Sequence, residues 1–138
     1  MKKFFIFLAA AVMLTGCTAG PRRDADLTPE TVSIETVADK EYVLTNQFVG
    51  ENLTLGFDKE GRIFGFAGIN RFFGKATIVN GTITIDALGT TRMAGPREKM
   101  IIEDQYLTLL KSAKTISIEK DALILTNERE ESLIFNRK

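Results

Sequence analysis

From about Val37 to the end of the chain, large apolar residues recur at every second position, and only one segment breaks that rhythm. Leu53, Leu55 and Phe57 alternate with Asn52, Thr54, Gly56 and Asp58; Ile116, Ile118, Leu123 and Leu125 repeat the pattern, and Leu133 and Phe135 close it. Successive side chains of a strand point to opposite faces, so this period specifies short strands with one face hidden and one wet. Tight turns punctuate the strands. Asp58-Lys59-Glu60-Gly61 is one, Asn80-Gly81 is the strongest hairpin signal, Lys120-Asp121 is a third, and a looser turn lies around Asn127 to Glu130.

The interruption is Pro96 to Ala113. Met100, Tyr106 or Leu107, Leu110 and Ala113 fall at helical spacing there. Pro96 suits a first helical turn, Glu98 and Glu103 lie toward the start, and Lys111 and Lys114 lie near the end, as the helix dipole favours. A strand-rich domain with one helix must hide the apolar face of its sheet, by curling into a barrel or by covering that face. The expectation is an α+β fold: a small, strongly curved antiparallel β-sheet or barrel-like meander, with the helix over about 96–113 covering or plugging an open side.

The amino terminus has a separate logic. Lys2 and Lys3 precede an uncharged apolar run from Phe4 to Leu14, and Leu14-Thr15-Gly16-Cys17 follows. The run is too short for a bilayer, which needs about 20 helical residues, so it reads as a signal peptide. A Leu, two small residues and a Cys resemble the bacterial lipobox, with cleavage between Gly16 and Cys17 and lipid on the Cys17 thiol. The implied partner is the lipid bilayer. Bacterial lipoproteins carry more than one acyl chain on this Cys, which gives stable anchoring where a single chain binds marginally. Thr18 follows the Cys with no Asp to mark inner-membrane retention, so the periplasmic face of the outer membrane is the expected address in a two-membrane organism. Residues 18–36, with Pro21, Pro29 and mixed charge, read as a tether, to whose end Val32, Ile34 and Val37 could add a short strand.

Composition excludes much chemistry. Cys17 is the sole cysteine, so lipidation leaves no disulfide, thiol nucleophile or thiolate metal site. Histidine is absent, which removes the usual general base and the commonest zinc ligand. The 18 basic residues balance 18 acidic ones, and loss of Lys2 and Lys3 leaves no basic field for nucleic acid. No cofactor and no metal are expected, and no enzyme activity.

Two stretches are more specific. Gly65-Phe66-Ala67-Gly68-Ile69-Asn70-Arg71-Phe72-Phe73-Gly74 is the first; Thr90-Thr91-Arg92-Met93-Ala94-Gly95-Pro96, running into a helix with Glu103, Tyr106, Leu107 and Leu110, is the second. Together they resemble the META domain, also called the HslJ-like family, over about Val37 to Lys138. Tyr42 stands where that family usually has a Trp opening the first strand. The resemblance implies a small antiparallel barrel-like fold with one helix, an envelope lipoprotein linked to stress and drug tolerance, and no established activity. It also implies a departure. The family often has a Cys in each motif, and this chain has Ile69 and Gly95 there, one large and one small side chain that would fill the same space if they face each other.

Candidate site residues follow from the same stretches. Asn70, Arg71 and Arg92 form a candidate interaction loop for an envelope protein partner, weighed against local hydrogen bonding by Asn70. Glu103 is expected to face inward toward Arg92 or Arg71 as an ion pair. Gly65, Gly68 and Gly74 read as bulges or bends rather than a phosphate loop. Phe64, Phe66, Phe72 and Phe73 are expected to fill the core; the alternative is a barrel interior that carries or senses a small apolar ligand. Glu98, Glu103 and Asp104 lack the spacing of a paired-carboxylate site.

Overall fold

A computed structural model describes residues 31–138; the signal peptide, Cys17 and most of the tether lie outside the described residues. Eight strands follow one another around a closed antiparallel barrel: β1 (Lys40–Leu44), β2 (Thr54–Phe57), β3 (Arg62–Phe66), β4 (Arg71–Val79), β5 (Thr82–Thr90), β6 (Ala113–Glu119), β7 (Ala122–Asn127) and β8 (Ser132–Arg137). Each pairs with its sequence neighbours, and β8 pairs back to β1 through Tyr42↔Arg137, Val43↔Asn136 and Leu44↔Phe135. The expected curved meander is thus a complete barrel, and closure removes the sheet edges that would otherwise invite aggregation.

The closure has one thin seam. β5 and β6 share a single ladder pair, Thr82↔Thr115, beside a bond from the Ile116 N–H to the Gly81 carbonyl. The long connection between these strands carries α2 (Arg97–Ser112), which lies against β5 and β7. Pro96 takes the N-cap position, one residue ahead of the expected first turn, while Glu98 lies in the first turn and Lys111 in the last, as the sequence predicts. Only the carboxyl-terminal half of the helix is buried. Tyr106 and Leu110 are fully enclosed, whereas Met100, expected on the packed face, is exposed. Ala113 is buried as the first residue of β6 rather than as a helical residue.

Tyr106 is the plug. Its ring stands edge-on to Phe72 at 5.9 Å and tilted on Phe135 at 6.5 Å, and its hydroxyl donates to the Thr54 carbonyl at 2.8 Å. Burial pushes the phenol pKa well up. Around it the inward residues of the strands, among them Leu55, Phe57, Ile63, Phe72, Ile83, Leu123 and Phe135, make one contiguous core. At the opposite end α1 (Ile34–Val37), one helical turn capped by Ser33, packs on β2 and buries Val32 and Val37. The segment read as a possible short strand, Val32 to Val37, thus holds a helical turn, and Val32 already belongs to the packed core.

Turn chemistry is mostly as the sequence predicts. Asn80 and Gly81 both take positive φ, 48° and 74°. Gly61 does so as well, while the Asp58 carboxylate accepts the Glu60 and Arg62 N–H groups. Lys120 and Asp121 adopt the same left-handed pair, 48° and 69°, without a glycine. A side chain in that region costs on the order of 1 kcal/mol. Lys120→Asn combined with Asp121→Gly is therefore expected to raise the unfolding free energy by about 1 kcal/mol. Urea titration followed by tyrosine fluorescence would register this as a higher midpoint at unchanged slope; a lower midpoint would contradict it.

The glycines of the first motif divide. Gly68 sits at φ 112° in the bend between β3 and β4, and Gly74 marks a bulge where Ala87 and Leu88 of β5 oppose one residue of β4. Gly65 is in a regular ladder position opposite Phe72. A Cβ there would come within 2.2 Å of the Thr54 carbonyl oxygen and 2.7 Å of the Phe72 ring, so close approach and not bending explains it.

Candidate functional site

At the barrel end where β1, β3 and β5 finish, the two motif loops and α2 are locked together by Asn70. This side chain is 5% exposed and makes four hydrogen bonds. Its Oδ1 accepts from the Met93 N–H at 2.7 Å and the Thr91 hydroxyl at 3.0 Å. Its Nδ2 donates to the Met93 carbonyl at 3.1 Å and to Glu103 Oε1 at 2.8 Å. Glu103 Oε2 accepts the backbone N–H groups of Asn70 at 2.8 Å and Ile69 at 3.3 Å. An amide side chain offers one such two-sided donor and acceptor set, which aspartate or leucine of similar size lacks.

This geometry corrects the expected ion pair. Glu103 does face inward, but its partners are Asn70 and the loop backbone; it forms no ion pair among the described residues, with Arg71, Arg92 or any other cation. Arg71 is exposed at the start of β4, where its backbone is stitched to Thr91 by reciprocal bonds, and Arg92 is exposed in the following loop. Of the candidate loop, Asn70 is thus enclosed while Arg71 and Arg92 face solvent. Glu98 and Asp104 are also exposed, and among the described residues no group of three or more His, Cys, Asp or Glu converges.

Ile69 and Gly95 do face each other. A Cβ built on Gly95 would lie 3.0 Å from Ile69 Cγ1 and 2.5 Å from its Cδ1, so the isoleucine occupies the space above the glycine. Since Cγ1 is one bond from Cβ, roughly 1.5 Å, the two Cβ positions are no more than about 4.5 Å apart, inside the disulfide range. Ile69→Cys with Gly95→Cys is expected to oxidise spontaneously outside the cytoplasm. Thiol labelling after denaturation checks it; two freely alkylated cysteines would be the contrary result.

The phenylalanine cluster also differs from expectation. Only Phe72 enters the core. Phe64 is 46% and Phe73 57% exposed, and Phe66 is half-buried. Phe72 and Phe73 are consecutive in β4 and must point to opposite sides of the wall, so four such residues cannot share the interior. The interior itself is filled by Tyr106 and the strand residues around it. An open trough of about 730 Å³ lies on the outer surface over β1 to β4.

The sequence reading also misses the apolar residues at the motif end. Val49 is 87% exposed at the tip of the loop between β1 and β2, and Met93, Met100 and Ile101 are exposed around the start of α2. An ion pair from Lys99 to Glu51 at 3.1 Å ties the loop to the helix. The signal was present: Ile101 is nine positions before Leu110, half a turn around the helix from the packed face.

No curated protein matches the chain. Its fold is shared by several solved structures, three of which are as follows. An NMR structure of a protein from Burkholderia xenovorans has 22% identity and a TM-score of 0.67, over 80% of this chain and 89% of that one. A second NMR structure has 21% identity and a TM-score of 0.60, over 76% and 94%. A crystal structure of a duf4847 family protein from Bacteroides vulgatus has 12% identity and a TM-score of 0.54, over 73% and 93%. The prokaryotic membrane lipoprotein lipid attachment site matches residues 1–18, which contain Cys17, and the META domain matches residues 29–138. The chain belongs to the META domain family and is a lipid-anchored bacterial membrane lipoprotein.

Proposed function

We propose that this lipoprotein is a non-enzymatic interaction module of the envelope, held on the periplasmic face of the outer membrane and engaging a protein partner through its motif end. One observation carries the reading. The Asn70–Glu103 bracket fixes the loops and α2 rigidly, yet Val49, Met93, Met100 and Ile101 are left to solvent beside Arg92. Exposed methionines and aliphatic groups on a rigid frame suit a protein surface, since thioether side chains repack around varied partners. The amino-terminal helical turn α1 and the motif end are at opposite poles of the barrel, which supports a reading in which the apolar end meets a partner while Cys17 is in the lipid.

Two further points support the reading. Glu103, the acid within the motifs, has its oxygens occupied by three N–H donors, which leaves it poorly placed to move a proton for a substrate. Thr18 after the lipidated Cys supports the outer-membrane address, and the stress setting rests on the family alone. Photo-crosslinking residues at Val49 and Met100, installed in the native host, are expected to give a discrete crosslinked species. Lys120, at the other pole, is expected to give none. Silence from Val49 and Met100 in both unstressed and stressed cells would defeat the proposal.

A further inference from the structure

The outer wall formed by β1 to β4 has an order that packing does not require. The register sets Arg62 opposite Lys75, Phe64 opposite Phe73, and Phe66 opposite Arg71. Along these two strands a cation pair, an aromatic pair and an aromatic–cation pair therefore follow one another on the same outward face. Like charges directly opposite disfavour a sheet, and large aromatics are not needed outside a barrel whose core is already full. Neighbouring positions make room for the rings: Gly56 lies under Phe64 and Gly89 under Phe73, each so close that a Cβ would meet the ring, at 2.5 Å and 2.8 Å. The two rings thus tip outward to either side, over β2 and β5, and flatten into a broad apolar strip. Arg62 is held by Asp58 and Glu60, Lys138 by Glu41, and Lys75 stands opposite Asp86 of β5, whereas Arg71 makes no ion pair among the described residues.

We infer that this wall rests on the bilayer that holds Cys17, with Phe64, Phe66 and Phe73 in the headgroup–acyl boundary and Arg71 and Lys75 against anionic headgroups. The chain supplies the argument for this occupant. Fourteen residues, 18–31, separate the lipidated Cys17 from Val32, the first buried residue among the described residues. Their covalent reach is at most about 50 Å, against a diameter of roughly 35 Å for a domain of this size. Every wall of the barrel can therefore touch the membrane, and the anchor keeps the effective concentration of membrane high enough for a weak contact to be occupied. Among the walls in reach, this one combines apolar rings with Arg71, a cation that makes no ion pair among the described residues, and the pairing of rings with a free cation is what interfacial binding uses. The contact is side-on, so it fixes the barrel's orientation and leaves the motif end pointing along the membrane. It does not depend on the partner proposed for that end.

The test uses the full acylated chain in nanodiscs of phosphatidylethanolamine and phosphatidylglycerol at three to one. Acylation consumes the sole native thiol, so one introduced cysteine takes a nitroxide label uniquely. A label at Thr77→Cys, further along β4 on the same face, is expected to show high oxygen and low nickel-chelate accessibility. A label at Ser117→Cys on β6, across the barrel, is expected to be water-like. Charge reversal at Arg71→Glu with Lys75→Glu changes only exposed groups and is expected to lower the docked-to-free ratio at least about tenfold. Phe64→Ser with Phe73→Ser should abolish docking while the near-ultraviolet signal of buried Tyr106 persists. A water-like label at Thr77, equal immersion at both positions, or indifference to charge reversal would each overturn the inference. The crosslinks expected from Val49 and Met100 would be untouched by such a result.

Discussion

Asn70→Ala is expected to lower the unfolding free energy by about 3 kcal/mol, well above the usual effect of a single substitution. The mutation removes four hydrogen bonds made by a side chain that is itself only 5% exposed. The N–H and carbonyl of Met93 lose their partner together, and one Glu103 oxygen loses its donor. Desolvated groups left unpaired cost more than a solvated bond is worth, which sets the magnitude. Asn70→Asp tests the chemistry rather than the size. It keeps the acceptor for Met93 and Thr91 but turns a second carboxylate toward Glu103, so it is expected to be at least as damaging at neutral pH and to recover partly in acid. Urea titrations at neutral and acidic pH would measure both. Near-native stability for the alanine variant would show that the loops are held by packing alone.

The second large effect is expected at Tyr106. Truncation to alanine empties the centre of the barrel and is expected to cost about 4 kcal/mol, in the range for buried aromatic deletions. Tyr106→Phe keeps the ring contacts with Phe72 and Phe135 and loses only the bond to the Thr54 carbonyl. A loss of about 1–2 kcal/mol is expected for it, because that carbonyl is then left without its donor. The difference between the variants separates packing from hydrogen bonding at one position. A phenylalanine variant as unstable as the alanine one would mean that the hydroxyl, not the ring, holds the plug.

The strand order was legible because a period of two and tight turns leave a chain of short strands few ways to pair except with successive neighbours. Asn80-Gly81 and the Pro96 start of α2 are local chemistry, readable without tertiary context. Closure through β1 and β8 was only half legible, since nothing local in Val43 or Asn136 declares that they will meet. The candidate site was legible as a place and not as a network. Motif residues flag the loops, but the pairing of Glu103 with Asn70 rather than with an arginine depends on how α2 crosses the barrel end. The outward phenylalanines were misassigned by composition, which favours burial, when alternation along β4 already separated Phe72 from Phe73. Val32 shows the same limit at the other end: an apolar residue in a polar stretch gives no sign of the surface it will cover.

The pairing of β8 with β1 also has a mechanical side. The strand nearest the tether is hydrogen-bonded along both flanks, to β2 and to β8, and Lys138 adds a bond to the Glu41 carbonyl. Ladder bonds run across the strands. A pull between the lipid and anything gripping the far pole travels lengthwise through β1 and loads its bonds together, instead of unzipping them one at a time. The one-turn helix α1 yields first, and the barrel behind it resists as a unit.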